Sequence, residues 1–286
     1  MVRKQLIILT ILLTGCMSNY DNNTGIKKME TATSTMNFFS KSVSDSFSIF
    51  ISLPEDYTKD KKYPSIYILD ANLYFDIYSA ILKKYSEVGL LSSAILIGIG
   101  YKDFSIMDSL RNRDYTYPAA IPEYEMTTSG KADKFLSFIY NELVPNIDTN
   151  YNIDKDKRIL MGHSLGGYFT LYALQQQLFS GKNLFQGFIA ASPSIHYNHY
   201  YILREFEKVK QYNGNKISLY TTFGGLENDE SNKDSTTLKI DEALLSLRNS
   251  LKSKGNIAFN GEVYSNLEHM DTPLPTFVKG LQWTFR

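Results

Sequence analysis

Between residues 47 and 53 the apolar side chains of Phe47, Ile49, Ile51 and Leu53 alternate with Ser48, Phe50 and Ser52, a period of two that predicts a strand of moderate exposure near the sheet edge. Pro54 ends it. Further on, the apolar runs turn short and continuous, at residues 66–69, 94–99, 158–161, 188–191 and 217–221, as in strands buried on both faces. Helical patterns fall between them, most clearly at 131–143, 168–178, 201–210 and 236–254. A last strand-like segment, 257–264, precedes a terminal helix at 276–285. This alternation of strand and helix predicts an α/β protein, a mostly parallel sheet with helices on both faces and right-handed crossovers. Reactive groups in such a sheet sit on loops at the carboxyl ends of strands.

The N-terminal pattern is different. Arg3 and Lys4 precede an apolar stretch at 6–13, too short to cross a bilayer but with the length and flanks of a secretory signal. It ends Leu13-Thr14-Gly15-Cys16, which resembles the lipobox of bacterial lipoproteins, where the cysteine is acylated and becomes the new N-terminus. Cys16 is the one cysteine of the chain, so the exported domain has no intramolecular disulfide. Two acyl chains, at about 0.8 kcal/mol per buried methylene, anchor a protein without a transmembrane helix. Residues 18–35 are mostly Ser, Asn, Thr, Asp and Lys and read as a tether. The expected organisation is a signal peptide at 1–15, a lipidated Cys16 and tether at 16–35, and one folded α/β domain at 36–286. The expected location is the bacterial cell envelope, at the periplasmic face or the cell surface, with the membrane as partner through Cys16.

Composition narrows the function. The 286 residues, 43% of them hydrophobic, suffice for one large core. Thirty basic residues balance thirty acidic ones, which excludes the strong positive field that nucleic acid demands. No His-x-x-x-His occurs, and His196 and His199 have no third ligand nearby in sequence, so neither a metal nor a cofactor is expected.

One segment carries chemistry. Residues 158–167 run Arg-Ile-Leu-Met-Gly-His-Ser-Leu-Gly-Gly, a Gly-x-Ser-x-Gly between an apolar strand and a helix pattern, the arrangement of a nucleophile elbow. The serine must sit on a sharp turn above the sheet, and the flanking positions must be small because strand and helix pass close beside it. This makes Ser164 the candidate nucleophile.

A serine hydroxyl needs a base, and the base an acid to hold its tautomer. Of the four histidines, His163 lies inside the elbow, His196 and His199 precede any acid loop, and His269 lies between the last strand and the terminal helix. His269 is therefore the candidate base. After the strand at 217–223 come Glu227, Asp229 and Glu230; Glu227, nearest the strand end, is the first candidate acid and Asp229 the second. The oxyanion requires two backbone donors: Leu165, after the nucleophile, and one from residues 70–73 after the strand at 66–69, for which Asn72 is favoured.

Together these segments resemble the putative-esterase family of α/β hydrolases, which includes esterase D, feruloyl esterases, mycolyltransferases and bacterial siderophore trilactone esterases. The resemblance rests on Leu-Pro-Glu-Asp-Tyr at 53–57, Lys-Tyr-Pro-Ser-Ile-Tyr-Ile-Leu-Asp at 62–70, the elbow, Ala-Ser-Pro-Ser at 191–194 and Glu268-His269. A further stretch, Arg111-Asn112-Arg113-Asp114-Tyr115-Thr116, looks like a signature of the siderophore-esterase branch. The resemblance implies a serine esterase that hydrolyses a small-molecule carboxylic ester, a trilactone siderophore among the candidates, through an acyl-enzyme. Arg111 and Arg113 would bind an anionic or catecholate group, or else an arginine would pair with Asp114 to hold a loop. His196 and Tyr197 stand where close relatives carry tryptophans. Alternatives within the enzyme class are a feruloyl or acetyl carbohydrate esterase and an acyltransferase; outside it stands a catalytically silent binding lipoprotein.

Overall fold

The computed structural model describes residues 33–227 and 238–285. Cys16, the expected signal and most of the expected tether lie outside the described residues, as does Asp229.

In chain order the elements are β1 (Thr33–Ser40), β2 (Asp45–Ser52), β3 (Tyr63–Ile68), α1 (Ala71–Glu87), β4 (Ile95–Gly100), α2 (Phe104–Tyr115) and α3 (Ala132–Phe138). A π turn at Ile139–Leu143 carries α3 into α4 (Val144–Asn150). Then follow β5 (Ile153–His163), α5 (Leu165–Ser180), β6 (Gly187–Ala191), α6 (Tyr197–Glu207), β7 (Tyr212–Gly224), α7 (Ile240–Lys252), β8 (Gly255–Tyr264) and α8 (Pro273–Thr284). The strands form one sheet in the order β1-β2-β4-β3-β5-β6-β7-β8. β1 to β2 and β2 to β4 are antiparallel, and every later pairing is parallel.

Both faces are covered, which is why the central strands read as unbroken apolar runs. Tyr67 and Leu69, Ile95, Ile97 and Ile99, and Leu160 point to one side, against α2 through α7. Ile66 and Ile68, Leu96, Ile159 and Met161 point to the other, against Tyr74, Phe75, Tyr78 and Leu82 of α1 and Phe277 and Leu281 of α8. Each such side chain, wholly removed from water, contributes roughly 1.5–3 kcal/mol. β5 lies between β3 and β6, so its carboxyl end opens at mid-sheet, where a reactive loop is braced on both sides.

Three details depart from the sequence reading. β1 begins at Thr33, so residues 33–35 pair with β2 and belong to the folded domain, not to a tether ending at 35. Its Thr- and Ser-rich composition hides it, because an edge strand packs few of its side chains. Residues 71–73 are the first turn of α1 and not a loop, so β3 runs into a helix almost as abruptly as β5 does. Finally, α6 is interrupted at Asn198, His199 and Tyr200, all at positive φ, which is why the regular helical pattern in the sequence starts only at Tyr201. Among the described residues no helix is long and apolar enough to cross a membrane.

Candidate active site

β5 ends at His163 and α5 begins at Leu165, leaving Ser164 alone to reverse the chain, with φ 58° and ψ −122°. That conformation is costly for a residue with a Cβ, and the surroundings enforce it. The Ser164 amide donates to Ala191 O at 3.0 Å, and Ser164 O accepts from Tyr168 N at 2.9 Å and Ser194 N at 3.0 Å. A Cβ at Gly162 would lie 2.4 Å from Gly166 O, and one at Gly167 would lie 2.9 Å from Pro193 Cα. Only glycine allows strand, helix and the 191–194 loop to meet this closely. The Ser164 hydroxyl lies 3.4 Å from that of Ser194.

His269 opens a short 3-10 turn between β8 and α8. Its Nδ1 donates to Glu227 Oε2 at 2.7 Å. Glu227 sits in a turn directly after β7, and its other oxygen accepts from Ser192 Oγ at 2.6 Å and Gly224 N at 2.6 Å. Burial works against the carboxylate's charge, but the bonds from His269, Ser192 and Gly224 outweigh it and hold the group below the usual glutamate range. Glu227 is thus an ionised acceptor with both oxygens occupied. Ser192 also meets Thr272 Oγ1 at 2.7 Å, and Thr272 Oγ1 donates to His269 O at 3.0 Å. Neither hydroxyl stood out in the sequence; Ser192 lay in a matched segment, whereas Thr272 had no signal.

His163 turns inward. It is 3% exposed, its Nδ1 lies 2.9 Å from Tyr74 OH, and its Nε2 lies 3.0 Å from His269 O. Burial, aided by neighbouring His269 and Arg111, pushes it down to about 4, so it is neutral near pH 7. The elbow and the His269 turn are therefore joined through the residue before the serine.

The donors for an oxyanion divide as follows. Leu165 is the first residue of α5, where amides have no partner in the helix. In α1 the first intrahelical amides are those of Leu73 and Tyr74, both on Asp70 O, so the amides of Ala71 and Asn72 precede the ladder. The Asn72 carboxamide is engaged elsewhere: its Nδ2 donates to Tyr101 O at 2.9 Å and its Oδ1 accepts from Tyr101 N at 2.7 Å. That pair ties α1 to the end of β4.

Both arginines, expected near the substrate, are paired with carboxylates of the protein itself. Arg111 grips Asp70 through Nε at 3.1 Å and Nη2 at 2.9 Å, and Nη2 reaches His163 O at 3.4 Å. Arg113 grips Asp114 through Nε at 2.8 Å and Nη2 at 2.9 Å, with Nη1 on Asp45 at 2.7 Å. Asp114 is fully buried and also accepts from Tyr101 OH at 3.2 Å. Guanidinium forks filled by buried carboxylates have little left for a ligand, so the structural alternative holds for Arg113, and Arg111 braces the elbow against the start of α1. Among the described residues no cluster of His, Cys, Asp and Glu could hold a metal ion.

Comparison with known proteins bears on this arrangement. Residues 40–238 match the family described as "Putative esterase". The chain is 35% identical over 202 residues to the ferri-bacillibactin esterase BesA of Bacillus subtilis, covering 66% of this chain and 68% of that one. It is 26% identical over 157 residues to the apo-salmochelin esterase of Escherichia coli, a match spanning 52% of this chain and 47% of that relative. The crystal structure of the BES protein from Bacillus cereus superposes with a TM-score of 0.73 at 26% identity and covers all of both chains.

Proposed function

The chain belongs to the putative-esterase family and is an ester hydrolase of the serine-hydrolase type, and on that premise we propose that it cleaves siderophore esters with Ser164, His269 and Glu227. In this reading the Ser164 hydroxyl attacks the acyl carbonyl carbon while His269 Nε2 takes its proton. Glu227, ionised and bonded to Nδ1, fixes the tautomer that leaves Nε2 free to accept and stabilises the imidazolium that forms. The negative oxygen of the tetrahedral intermediate takes the Leu165 amide and one from the first turn of α1, with Asn72 the favoured source. Both lie at helix N-termini, where the backbone dipoles favour negative charge. Collapse of the intermediate releases the alcohol, protonated by His269. Water, activated by the same imidazole, then frees the acid from the acyl-enzyme.

The observation that carries this reading is the Glu227–His269 bond, at 2.7 Å, in a turn bonded to the residue preceding Ser164. The substrate class rests on the 35% identical relative named for ferri-bacillibactin. With Arg111 and Arg113 held by carboxylates, this reading assigns recognition to other groups around the cleft. The protein is also exported and held at the bacterial cell envelope by lipid on Cys16, a reading supported by the Leu13-Thr14-Gly15-Cys16 motif alone.

Purified domain incubated with a trilactone siderophore, feruloyl esters and short p-nitrophenyl esters tests the substrate. The expected result is opening of the trilactone with kcat/KM at least about tenfold above feruloyl esters, a difference of about 1.4 kcal/mol in transition-state binding. A reversed ranking overturns the siderophore assignment and leaves the esterase intact. For the anchor, wild type incorporates labelled palmitate and Cys16→Ser does not; unlabelled wild type rejects it.

A further inference from the structure

We infer that the buried pair Tyr74 and His163 is a positioning device for His269, acting on the main-chain carbonyl of that residue. The inference rests on the reading of His269 as the base. His269 lies on a three-residue turn whose neighbour Met270 is 63% exposed, so little apolar packing holds it in place. Its ring lies against that of His163, centroids 4.6 Å apart, and the rest of what fixes it is polar. Its carbonyl lies 3.0 Å from His163 Nε2 and accepts from Thr272 Oγ1 at 3.0 Å, while its ring donates to Glu227 at 2.7 Å.

The donor roles follow from what each atom can do. A carbonyl oxygen only accepts, so His163 Nε2 carries the hydrogen. Neutral His163 then has a bare Nδ1, which accepts from Tyr74 OH at 2.9 Å. Tyr74 thus selects the His163 tautomer that holds the His269 carbonyl. The device spans three elements: Tyr74 on α1, His163 at the end of β5 and His269 before α8. With the carbonyl held from two directions and Nδ1 from a third, the ring has little freedom left, and its Nε2 is aimed by the fold instead of by its own rotamer preference.

A buried histidine at this place is otherwise a poor choice. Burial opposes its protonated form, and an apolar residue would fill the space without needing partners. Its use makes sense as a group next to the serine that donates to the His269 turn.

The test uses the full chain, with p-nitrophenyl acetate as substrate. His163→Leu removes the donor and His163→Gln keeps an N–H at similar reach. Tyr74→Phe removes the tautomer selection while leaving the imidazole. Misplacement of a reacting group by about 1 Å costs on the order of 100-fold, so kcat is expected to fall about 10- to 100-fold in His163→Leu with KM within about twofold of wild type. Tyr74→Phe should fall between, and His163→Gln should recover most of the loss. In a His269→Ala background, His163→Leu should cost nothing more, because the group it positions is gone. A folded His163→Leu with wild-type kcat overturns the proposal, as does an equal loss in both backgrounds. Should His163→Leu not fold, as melting temperature and circular dichroism would report, Tyr74→Phe and His163→Gln carry the test, and wild-type kcat in Tyr74→Phe overturns the relay. Failure of the underlying reading looks different: His269→Ala itself would keep its turnover.

Discussion

Glu227 and His269, 42 residues apart in the chain, meet through a 2.7 Å hydrogen bond from Nδ1 to Oε2. The other carboxylate oxygen is taken by Ser192 Oγ and Gly224 N, so the group faces donors on both sides. An amide cannot satisfy that arrangement. If the oxygen of Glu227→Gln faces Ser192 and Gly224, its NH2 faces Nδ1 and favours the wrong tautomer of His269. A loss of about three to four orders of magnitude in kcat is expected, against little change for Asp229→Asn. Ser164→Ala and His269→Ala should each lose as much, and the double variant should be scarcely worse, since the members act as a unit. Steady-state kinetics on a p-nitrophenyl ester decide it; the reverse ranking of the two acids would move the role to Asp229.

Arg113→Ala should act on stability and not on recognition. It strands Asp114, which is fully buried, with Tyr101 OH as its remaining side-chain donor. Removing one partner of a buried ion pair costs about 3–5 kcal/mol, read as a lower melting temperature. Activity of the remaining folded protein should drop equally, if at all, on charged and neutral esters. An unchanged melting temperature with KM raised only for the siderophore would return Arg113 to the substrate.

Gly162→Ala adds one methyl group at a place where nothing can yield, since its Cβ would meet the backbone carbon and oxygen of Gly166 at 2.5 and 2.4 Å. Strand and helix must part, at a cost of at least about 1–3 kcal/mol, and the Ser164 turn goes with them. Loss of labelling by a fluorophosphonate probe together with a lower melting temperature is expected. Full labelling would show that the elbow tolerates wider spacing.

The depressed titration of His163 makes a pH prediction. Its folded value is pushed from 6.5 down to about 4, so between those values the unfolded chain binds a proton that the folded one refuses. Stability contributed by the neutral imidazole is therefore complete above about pH 6.5 and is lost as pH falls toward 4, by roughly 3 kcal/mol at the end of the window. The groups facing His163 are Tyr74 from α1, Arg111 from α2, Glu227 from the turn after β7 and His269 from its own turn. Melting temperatures of wild type and His163→Gln from pH 7 to 4.5 should converge as the acid loss disappears from the variant. Parallel curves would assign the acid sensitivity to other groups.

The period of two at residues 47–53, the continuous apolar runs and the Gly-x-Ser-x-Gly between strand and helix were enough to predict a doubly covered, mostly parallel sheet with Ser164 at a strand end. These are short-range properties: the side-chain period of a strand, the burial of both faces and the space beside a turn are all written within a few residues. The order of Ser164, Glu227 and His269 along the chain was legible for the same reason, because each candidate follows a strand. What lay beyond local pattern was partnership. Whether Arg113 meets a ligand or Asp114, whether Asn72 offers its side chain or only its backbone, and what His163 faces depend on which strand ends and helix starts the sheet order brings together. The sequence placed donors and carboxylates near the cleft, but a guanidinium or an imidazole has several equally good acceptors within the length of its side chain. Only the packed structure, in which each buried polar atom must find a partner, decides among them.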